Sequence, residues 1–195
     1  MPSTANTLTP AFSPLDLQSR SRLWQVAAIV LGTLFLALSS YVEVPMVPVP
    51  MTMQTFAVTM VGALYGWRLG ALTIIAWLAE AVVGLPVLAG GASGIQHFMG
   101  PTAGYLLAFP ICGALTGWLA ERGWNGRKPI LAFVSLLSSN LLCLAVGGAW
   151  LATVIGVGPA LENGVTPFLL GALLKSVLGA AILMGTIRDR GRAAQ

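Results

Sequence analysis

A proline-rich but apolar stretch, VPMVPVPMTMQTF at residues 44–56, constrains the fold of this chain more than any other feature. Pro45, Pro48 and Pro50 cannot lie inside a helix, because each lacks a backbone N–H and its ring clashes with the preceding turn. Long apolar segments flank the stretch on both sides. Lipid cannot satisfy the free backbone groups of a non-helical segment, so the stretch must pack on protein or cover a cavity. We therefore predict that it forms a lid or wall over a binding site near one membrane face.

The composition is that of an integral membrane protein. Of the 195 residues, 56% are hydrophobic and only 8% are charged, whereas a soluble domain carries roughly 25% charged residues. Acidic residues are few and basic residues are not interleaved with aromatic ones, which argues against a nucleic-acid partner. We therefore predict an all-α integral membrane protein whose surroundings are the lipid bilayer.

Cysteine and histidine are too few and too scattered for a metal site. Cys112 and Cys143 fall in separate apolar segments without CxxC or Cys/His spacing, and His97 is the only histidine. We interpret the two cysteines as small apolar packing residues. A single histidine also leaves no nucleophile–base set that could be assembled, and no Gly-rich phosphate loop is present. We therefore expect no metal, no cofactor and no enzymatic activity of the chain itself.

Six apolar segments have about the length, 17–25 residues, that crosses about 30 Å of hydrocarbon. The second and third are the shortest, and a turn at residues 66–68 joins them. No break in composition marks a second domain. The predicted spans are residues 23–42, 52–67, 69–85, 103–121, 129–151 and 166–187.

The basic residues set the orientation of these spans. Nine of the ten fall in the two terminal tails and in the second and fourth polar connections, and the tenth, Lys175, lies within a span. The remaining connections, residues 43–51, 86–102 and 152–165, hold no Lys or Arg. By the positive-inside rule both termini are cytoplasmic and these three loops face outward. Long outer loops rich in Gly and Pro indicate a pocket that opens outward beneath ordered loops.

The chain therefore divides into one membrane domain and two tails. Residues 1–22 are polar and rich in Ser, Thr and Pro, which predicts a mobile cytoplasmic tail. A signal peptide is the alternative, but the following apolar run is too long and five more spans come after it. Residues 23–187 are predicted to form a six-helix substrate-binding domain, and residues 188–195 a basic cytoplasmic tail.

Glu80 and Lys175 are the two ionisable residues inside the predicted spans. A charge at mid-bilayer costs at least about 2.5–3.5 kcal/mol, so each should face the bundle interior and find a partner. They lie about 5 and 9 residues from the outer ends of their spans, hence about 6 Å apart in depth. We predict that the two are neighbours in the outer half of the bundle. Either the pair fixes helix register, or Lys175 binds an anionic or carbonyl group of a ligand.

Uncharged polar and aromatic residues extend this candidate site. Thr52 and Gln54 lie at the mouth of the second span, and the amide of Gln54 can both donate and accept hydrogen bonds. Asn140, in the fifth span, either bonds across helices or completes the site. Trp77 and Tyr105 lie near the outer ends of spans, where they are interfacial anchors or site residues.

A glycine-rich, uncharged segment, GLPVLAGGASGIQHFMGPTAG at residues 84–104, follows the third span. Glycine permits positive φ and close approach of the backbone. Ile95, Phe98 and Met99 would be poor residues for a floppy exposed loop. We therefore predict an ordered cap that folds against the pocket and carries Gln96 to it.

Pairs of small residues four positions apart let helix backbones approach closely in lipid. Most such pairs merely pack a bundle. The pattern occurs at Ala28/Gly32, Gly62/Gly66 and Gly113/Gly117.

Four motifs of the chain resemble a known family. The segment VPVPMTMQTFAV at residues 47–58 is similar to the PVPiTlQtf stretch of BioY, the biotin-specific membrane subunit of energy-coupling-factor transporters. GLPVLAGG at 84–91 is similar to the family's GLPVFAGG, and GPTAGYLLAF at 100–109 to its GPTgGYLlgF. PFLLGALLK at 167–175 is similar to its PFlpGdllK. The motifs occur in the family's order, and the resemblance covers about residues 23–187.

The resemblance implies a six-helix substrate-binding component (S component) in the bacterial cytoplasmic membrane that captures biotin from outside. It also implies two kinds of partner, a transmembrane coupling protein and a pair of ATP-binding cassette ATPases. Carried over to this chain, the family's pocket includes Thr52, Gln54 and Lys175, together with the 84–105 loop and its Tyr105. The Ala28/Gly32 face on the first helix resembles the surface that docks on the coupling protein. Homo-oligomerisation stays open.

One departure from the family concerns the neighbour of Lys175. Many members carry Asp three residues before this lysine, where the chain has Ala172. We expect Glu80, the other intramembrane ionisable residue, to become the partner of Lys175. Whether Lys175 meets the carboxylate or the ureido oxygen of biotin stays open. So do two other functions, a self-sufficient biotin transporter without ATPases and an S component for another vitamin.

Overall fold

The computed structural model describes Leu15, Leu17 and residues 20–193, with side chains as far as residue 186. Six long helices form the bundle, and a short helix precedes the last of them. Two very short strands pair antiparallel between the first two helices. The elements are α1 (Arg22–Ser40), β1 (Glu43–Val44), β2 (Met51–Thr52), α2 (Gln54–Tyr65), α3 (Trp67–Val82), α4 (Ala103–Glu121), α5 (Pro129–Ile155), α6 (Val157–Ala160) and α7 (Thr166–Ala193).

The prediction of six membrane helices is confirmed, but the helices differ in reach. Within the described residues, four segments are long and apolar enough to cross a membrane, and they contain α1, α4, α5 and α7. With 12 and 16 residues, α2 and α3 extend only about 18 and 24 Å at 1.5 Å per residue. A turn at Gly66, whose φ of 81° favours glycine, joins these two short helices.

The proline-rich stretch that follows α1 is non-helical in the structure, as predicted. Residues 43–52 form the β1–β2 hairpin, whose register pairs Glu43 with Thr52. We define residues 43–53 as the outer hairpin. Helix α2 begins only at Gln54, two residues later than the predicted start of the second span.

Two expected boundaries are wrong. The predicted outer loop at residues 152–165 is largely helical, because α5 continues to Ile155 and α6 and a π-helical turn, Leu161–Val165, lead directly into α7. Apolar residues at both ends of this segment let the helices extend past the predicted span. Helix α7 likewise continues to Ala193, through most of the predicted C-terminal tail. Most of the N-terminal tail lies outside the described residues, but Leu17 is buried in a cluster with Ala28.

Glycines bring α2, α3 and α4 into backbone contact. A side chain at Gly62 would meet the backbone of Gly113, with its Cβ 2.9 Å from the carbonyl carbon. A side chain at Gly117 would meet the backbone of Gly66 and Trp67. Two pairs recognised in the sequence therefore interlock with each other, α2 against α4. Bare backbones pack this closely only where Cβ atoms are missing.

The third small-residue pair also packs inside the bundle, which does not support the docking role expected for it. A Cβ at Gly32 would lie 2.6 Å from Thr73 Cγ2 of α3. Tyr65 donates a hydrogen bond of 2.9 Å to the carbonyl oxygen of Ala28. Because α2 and α3 cover Ala28 and Gly32, this face of α1 is not open to a partner in this arrangement. The sequence pattern shows that a helix surface permits close packing, but it does not show which helix or protein packs against that surface.

Candidate functional site

A cavity of about 380 Å³ lies in the outer half of the bundle, within the range of small-molecule sites. Helices α2, α4, α5 and α7 form its walls, and the outer hairpin and the glycine-rich segment before α4 cover it. Its lining residues are Pro48, Val49, Pro50, Thr52, Gln54, Thr55, Leu88, Ala89, Ala92, Gln96, His97, Gly100, Pro101, Thr102, Tyr105, Leu106, Phe109, Asn140, Leu144, Phe168, Ala172 and Lys175.

The cavity has an inner floor and an outer mouth. Thr55, Phe109 and Asn140 also line a small void beneath the cavity, so they form its floor. Along α4 and its N-cap the lining runs from Thr102 to Phe109, seven residue steps or about 10 Å along the helix axis. The mouth is the Thr102 end, next to the covering segment. A ligand in this cavity therefore lies along the bundle axis.

Lys175 projects from α7 to the start of α2. Its Nζ donates hydrogen bonds to the carbonyl oxygen of Thr52 (2.6 Å) and to Thr55 Oγ1 (3.1 Å). An ammonium group carries three donors, so one N–H remains for a ligand in the cavity.

The expected Glu80–Lys175 pair is not formed. Lys175 finds neutral oxygen partners instead, and Glu80 is not among the lining residues. Equal depth in the membrane placed the two residues at one level, but depth does not tell which way each helix face points. No carboxylate lines the cavity in the part of the chain that the structure describes. The polar end of the site therefore carries a positive charge without a protein counter-ion in the lining.

Thr52 and Gln54 form a hydrogen-bonded link at the start of α2. Thr52 Oγ1 donates to Gln54 Oε1 (3.1 Å) and accepts from the backbone N–H of Gln54 (3.2 Å). Gln54 Nε2 donates to Ser40 Oγ on α1 (3.1 Å). Both residues are buried and line the cavity. Their amide and hydroxyl groups are already partnered, so they fix the wall more than they offer free donors.

Asn140 fulfils both roles that the sequence left open. Its Nδ2 donates to the carbonyl oxygen of Leu136 (2.9 Å) and, across to α7, to Ser176 Oγ (3.2 Å). Its side chain also lines the cavity floor. Among the described residues, no donor bonds to Asn140 Oδ1 and this oxygen is not sealed from solvent. It is an acceptor available to a ligand in the cavity that Lys175 also lines.

Aromatic residues build the rest of the wall. Tyr105 stacks on Phe168 with ring centroids 6.5 Å apart, and its hydroxyl donates to the carbonyl oxygen of Gly164 at 2.7 Å. Trp77 does not line the cavity. It is fully buried, stacks on the lining Phe109 at 5.9 Å, and donates from Nε1 to the carbonyl oxygen of Val87 at 3.1 Å. Trp77 therefore supports the site from behind.

The glycine-rich segment is ordered, as predicted, through bonds to the bundle. Tyr41 donates from its hydroxyl to the carbonyl oxygen of Pro86 (2.6 Å). The backbone N–H of Gly94 donates to the carbonyl oxygen of Ala81 (2.7 Å). These contacts anchor the segment at α1 and α3. We call residues 84–102 the cap.

Two polar side chains of the cap reach the mouth of the cavity. Gln96 lines it and donates from Nε2 to the carbonyl oxygen of Ser93 at 2.6 Å. His97, half-buried, lines it as well. Sequence reasoning weighed His97 as a metal ligand and as a catalytic base, and it placed the 84–105 loop at the pocket without singling out this side chain. Its position two residues before Met99, in a segment predicted to be an ordered cap, was the sequence signal that could have identified it.

The lining of this cavity has the composition of a small-molecule binding site. Within the described residues, no group of three or more His, Cys, Asp or Glu side chains could hold a metal ion. Cys112 and Cys143 are both buried and free, beneath the floor. The lining combines an apolar wall with a small number of polar groups at either end, which is the usual design of a small-molecule site.

The bundle and its covered cavity define a multi-pass membrane protein of the cytoplasmic membrane. The chain belongs to the BioY family, whose profile matches residues 12–192. The biotin transporter BioY2 of Lactococcus lactis is 34% identical over 170 residues, covering 86% of this chain and 92% of the relative. The probable biotin transporter BioY of Pyrococcus horikoshii is 35% identical over 157 residues, covering 79% and 92%. The biotin transporter BioY of Rhizobium etli is 34% identical, covering 82% and 89%.

The fold is also that of a solved protein. A crystal structure described as the S-component for biotin from an ECF-type ABC transporter aligns with a TM-score of 0.74. The alignment covers 87% of this chain and 95% of the other, at 24% sequence identity. The six-helix architecture of the family is therefore present in this chain.

Proposed function

We propose that this protein binds biotin in the cavity of its outer half and serves as the S component of an ECF-type transporter for biotin uptake. The observation that carries the proposal is the cavity itself, about 380 Å³, apolar along its length and with Lys175 and Asn140 at its floor. The names of the relatives support the choice of ligand, since all three are described as biotin transporters, one of them as probable.

Biotin matches this lining group by group. Its thiophane ring and valeryl chain are apolar and fit against Leu106, Phe109, Leu144 and Phe168. Its ureido group and its carboxylate need hydrogen-bond partners, because an unpaired polar group in an apolar site costs about 2–7 kcal/mol. Free donors and acceptors occur at the floor and at the mouth, the two ends of the cavity. The absence of a carboxylate among the described lining residues favours an anionic ligand.

Transport needs energy that the chain shows no means of supplying. Its sequence contains no nucleotide-binding motif. We therefore propose that a transmembrane coupling protein and ABC-type ATPases act with it, as the description of the solved neighbour indicates for that protein. We also propose that the chain catalyses no reaction. The alternative is a self-sufficient transporter, which would take up biotin without a coupling protein or ATPases.

Equilibrium binding of radiolabelled biotin to detergent-purified protein tests the ligand. We expect tight binding by the wild type and a loss of at least about 100-fold in Lys175→Ala, since a buried charged donor is removed. Lys128, the chain's other lysine, is exposed on the inner side, so Lys128→Ala is a matched control that should bind as the wild type does. Folded protein that binds no biotin would refute the proposal.

Uptake in a bacterial strain without its own biotin transport tests the partners. We expect uptake when the protein is produced together with an ECF coupling protein and its ATPases. ATPases inactivated in their nucleotide site are the control. Equal uptake without partners, or with inactive ATPases, would show a self-sufficient transporter instead.

A further inference from the structure

Two polar ends of one cavity raise the question of which end of the ligand each receives. At the floor, Lys175 offers an N–H donor and Asn140 Oδ1 an acceptor. At the mouth, about 10 Å further out along α4, the cap presents His97. The proposed ligand is itself elongated, with a ureido group at one end and a carboxylate at the other.

The floor is complementary to a ureido group. A cyclic urea carries both N–H donors and a carbonyl acceptor, so it needs an acceptor and a donor side by side. Asn140 Oδ1 and Lys175 Nζ provide this pair. A carboxylate only accepts hydrogen bonds, so it could accept from Lys175 but would leave Asn140 Oδ1 without a donor. Burial also costs a neutral urea much less than an ionised carboxylate.

The mouth is complementary to a carboxylate. The backbone of His97 is held in place, because its carbonyl oxygen accepts a hydrogen bond from Thr102 Oγ1 (3.2 Å) at the start of α4. Its imidazole is not held in this way. Neither ring nitrogen bonds to another residue in the described part of the chain, and neither is sealed from solvent. An imidazole has an N–H donor in either tautomer, and a carboxylate placed there keeps part of its hydration.

We propose that His97 binds the carboxylate of the ligand at the mouth, while Asn140 and Lys175 bind its ureido group at the floor. The inference rests on the proposed function, since it assigns the two ends of biotin to the two ends of the cavity. His97 then makes the protein selective for the free acid over uncharged derivatives. Lys175 makes no such distinction, although its loss weakens every ligand that carries the ureido group.

A mutant–ligand cycle tests this assignment. Binding of biotin and of biotinamide, whose carboxylate is replaced by an uncharged amide, is measured on the wild type and on His97→Ala. We expect the wild type to bind biotin about tenfold more tightly than the amide, as for a half-exposed hydrogen bond to a charged group. In His97→Ala we expect biotin to weaken by about tenfold and the amide to change by less than about twofold, so that the selectivity disappears.

Two further variants serve as controls for this assignment. Met99→Ala lies in the same cap, is exposed and does not line the cavity, so it should keep the selectivity of the wild type. Lys175→Gln should weaken both ligands by the same factor. Selectivity kept in His97→Ala, or lost in Lys175→Gln, would overturn the assignment. Failure of the wild type to bind either ligand would instead refute the proposed function on which it rests.

Discussion

Helices α2 and α4 pack differently in the inner and outer halves of this bundle. In the inner half, α2 and α4 touch through bare backbone at Gly62, Gly113 and Gly117. In the outer half, large side chains such as Tyr105 and Phe168 face one another around a cavity. The same two helices therefore meet at backbone contact at one level and flank a cavity of about 380 Å³ at another.

The difference indicates how a small membrane protein keeps a stable site. Hydrophobic attraction between helices is absent in lipid, so close backbone packing has to hold the bundle together. Glycine contacts such as that between Gly62 and Gly113 provide it. The outer half is then able to leave its helices apart and to line the gap with side chains chosen for a ligand. Substitutions that add bulk should therefore have opposite consequences in the two halves.

The largest effect is expected for Gly62→Ala in the inner half. The new Cβ would meet the backbone of Gly113, which cannot move away as a side chain could. We expect a loss of about 3 kcal/mol in the free energy of unfolding, typical of an overpacked core. Thermal unfolding in detergent measures it. The matched control is Gly185→Ala on α7, where nothing lies within 4 Å of the new Cβ. Equal stability of the two variants would contradict this packing.

Added bulk in the outer half should spare the fold and weaken binding. Ala172 lines the cavity and is 4% exposed, so Ala172→Leu fills space that the ligand needs. We expect biotin affinity to fall by about 10- to 100-fold, since overpacking costs about 1–3 kcal/mol. The melting temperature of the Ala172→Leu variant should match that of the wild type. Leu173→Ala, on the exposed face of α7, should leave affinity unchanged. Normal affinity in Ala172→Leu would place the ligand elsewhere.

Asn140 belongs to both the helix packing and the site, so its two contributions can be separated. We expect Asn140→Ala to lower biotin affinity by about tenfold and stability by about 1 kcal/mol. Ser176→Ala removes the bond between α5 and α7 and the bond from Ser176 Oγ to the carbonyl oxygen of Ala172, but it leaves the Asn140 side chain in place. It should lower stability while biotin affinity stays within about twofold of the wild type. A similar loss of affinity in both variants would mean that Asn140 acts only by holding the helices.

The smallest effect is expected at the cap. Trp150 Nε1 donates a hydrogen bond of 3.0 Å to the carbonyl oxygen of Gly100, which ties the cap to α5. We expect Trp150→Phe to speed biotin release by about threefold, the weight of one exposed hydrogen bond. Dissociation of labelled biotin measures this rate. Trp24→Phe, at a residue 63% exposed on α1, is the control. An unchanged release rate would show that cap motion does not limit dissociation.

The general architecture could be predicted because lipid imposes few solutions. Span length and the distribution of basic residues predicted six helices, and an apolar stretch with three prolines predicted a non-helical cover. Lys175, Gln54 and Asn140 were recognised because polar groups inside spans need partners. The structure places all three in the lining of one cavity. Their roles toward biotin remain predictions that the proposed experiments test.

Contacts that depend on helix rotation could not be predicted. Glu80 and Lys175 occupy similar depths, yet Lys175 bonds to Thr52 and Thr55. Ala28 and Gly32 were assigned by resemblance to the surface that docks on the coupling protein, and a small-residue stripe looks the same whichever helix covers it. His97 was not singled out within the 84–105 loop, because only the folded cap shows which of its side chains line the cavity.

The hydrogen bond from Lys175 to Thr52 joins residues that are 123 positions apart in the chain. A membrane protein is synthesised from its N-terminus, so the outer hairpin emerges long before α7 does. The ammonium that fixes the end of this hairpin is therefore made near the end of translation. The first five long helices can assemble on their glycine contacts while the site is still incomplete. The arrival of α7 closes it, so the capacity to bind is acquired in the last step of biosynthesis.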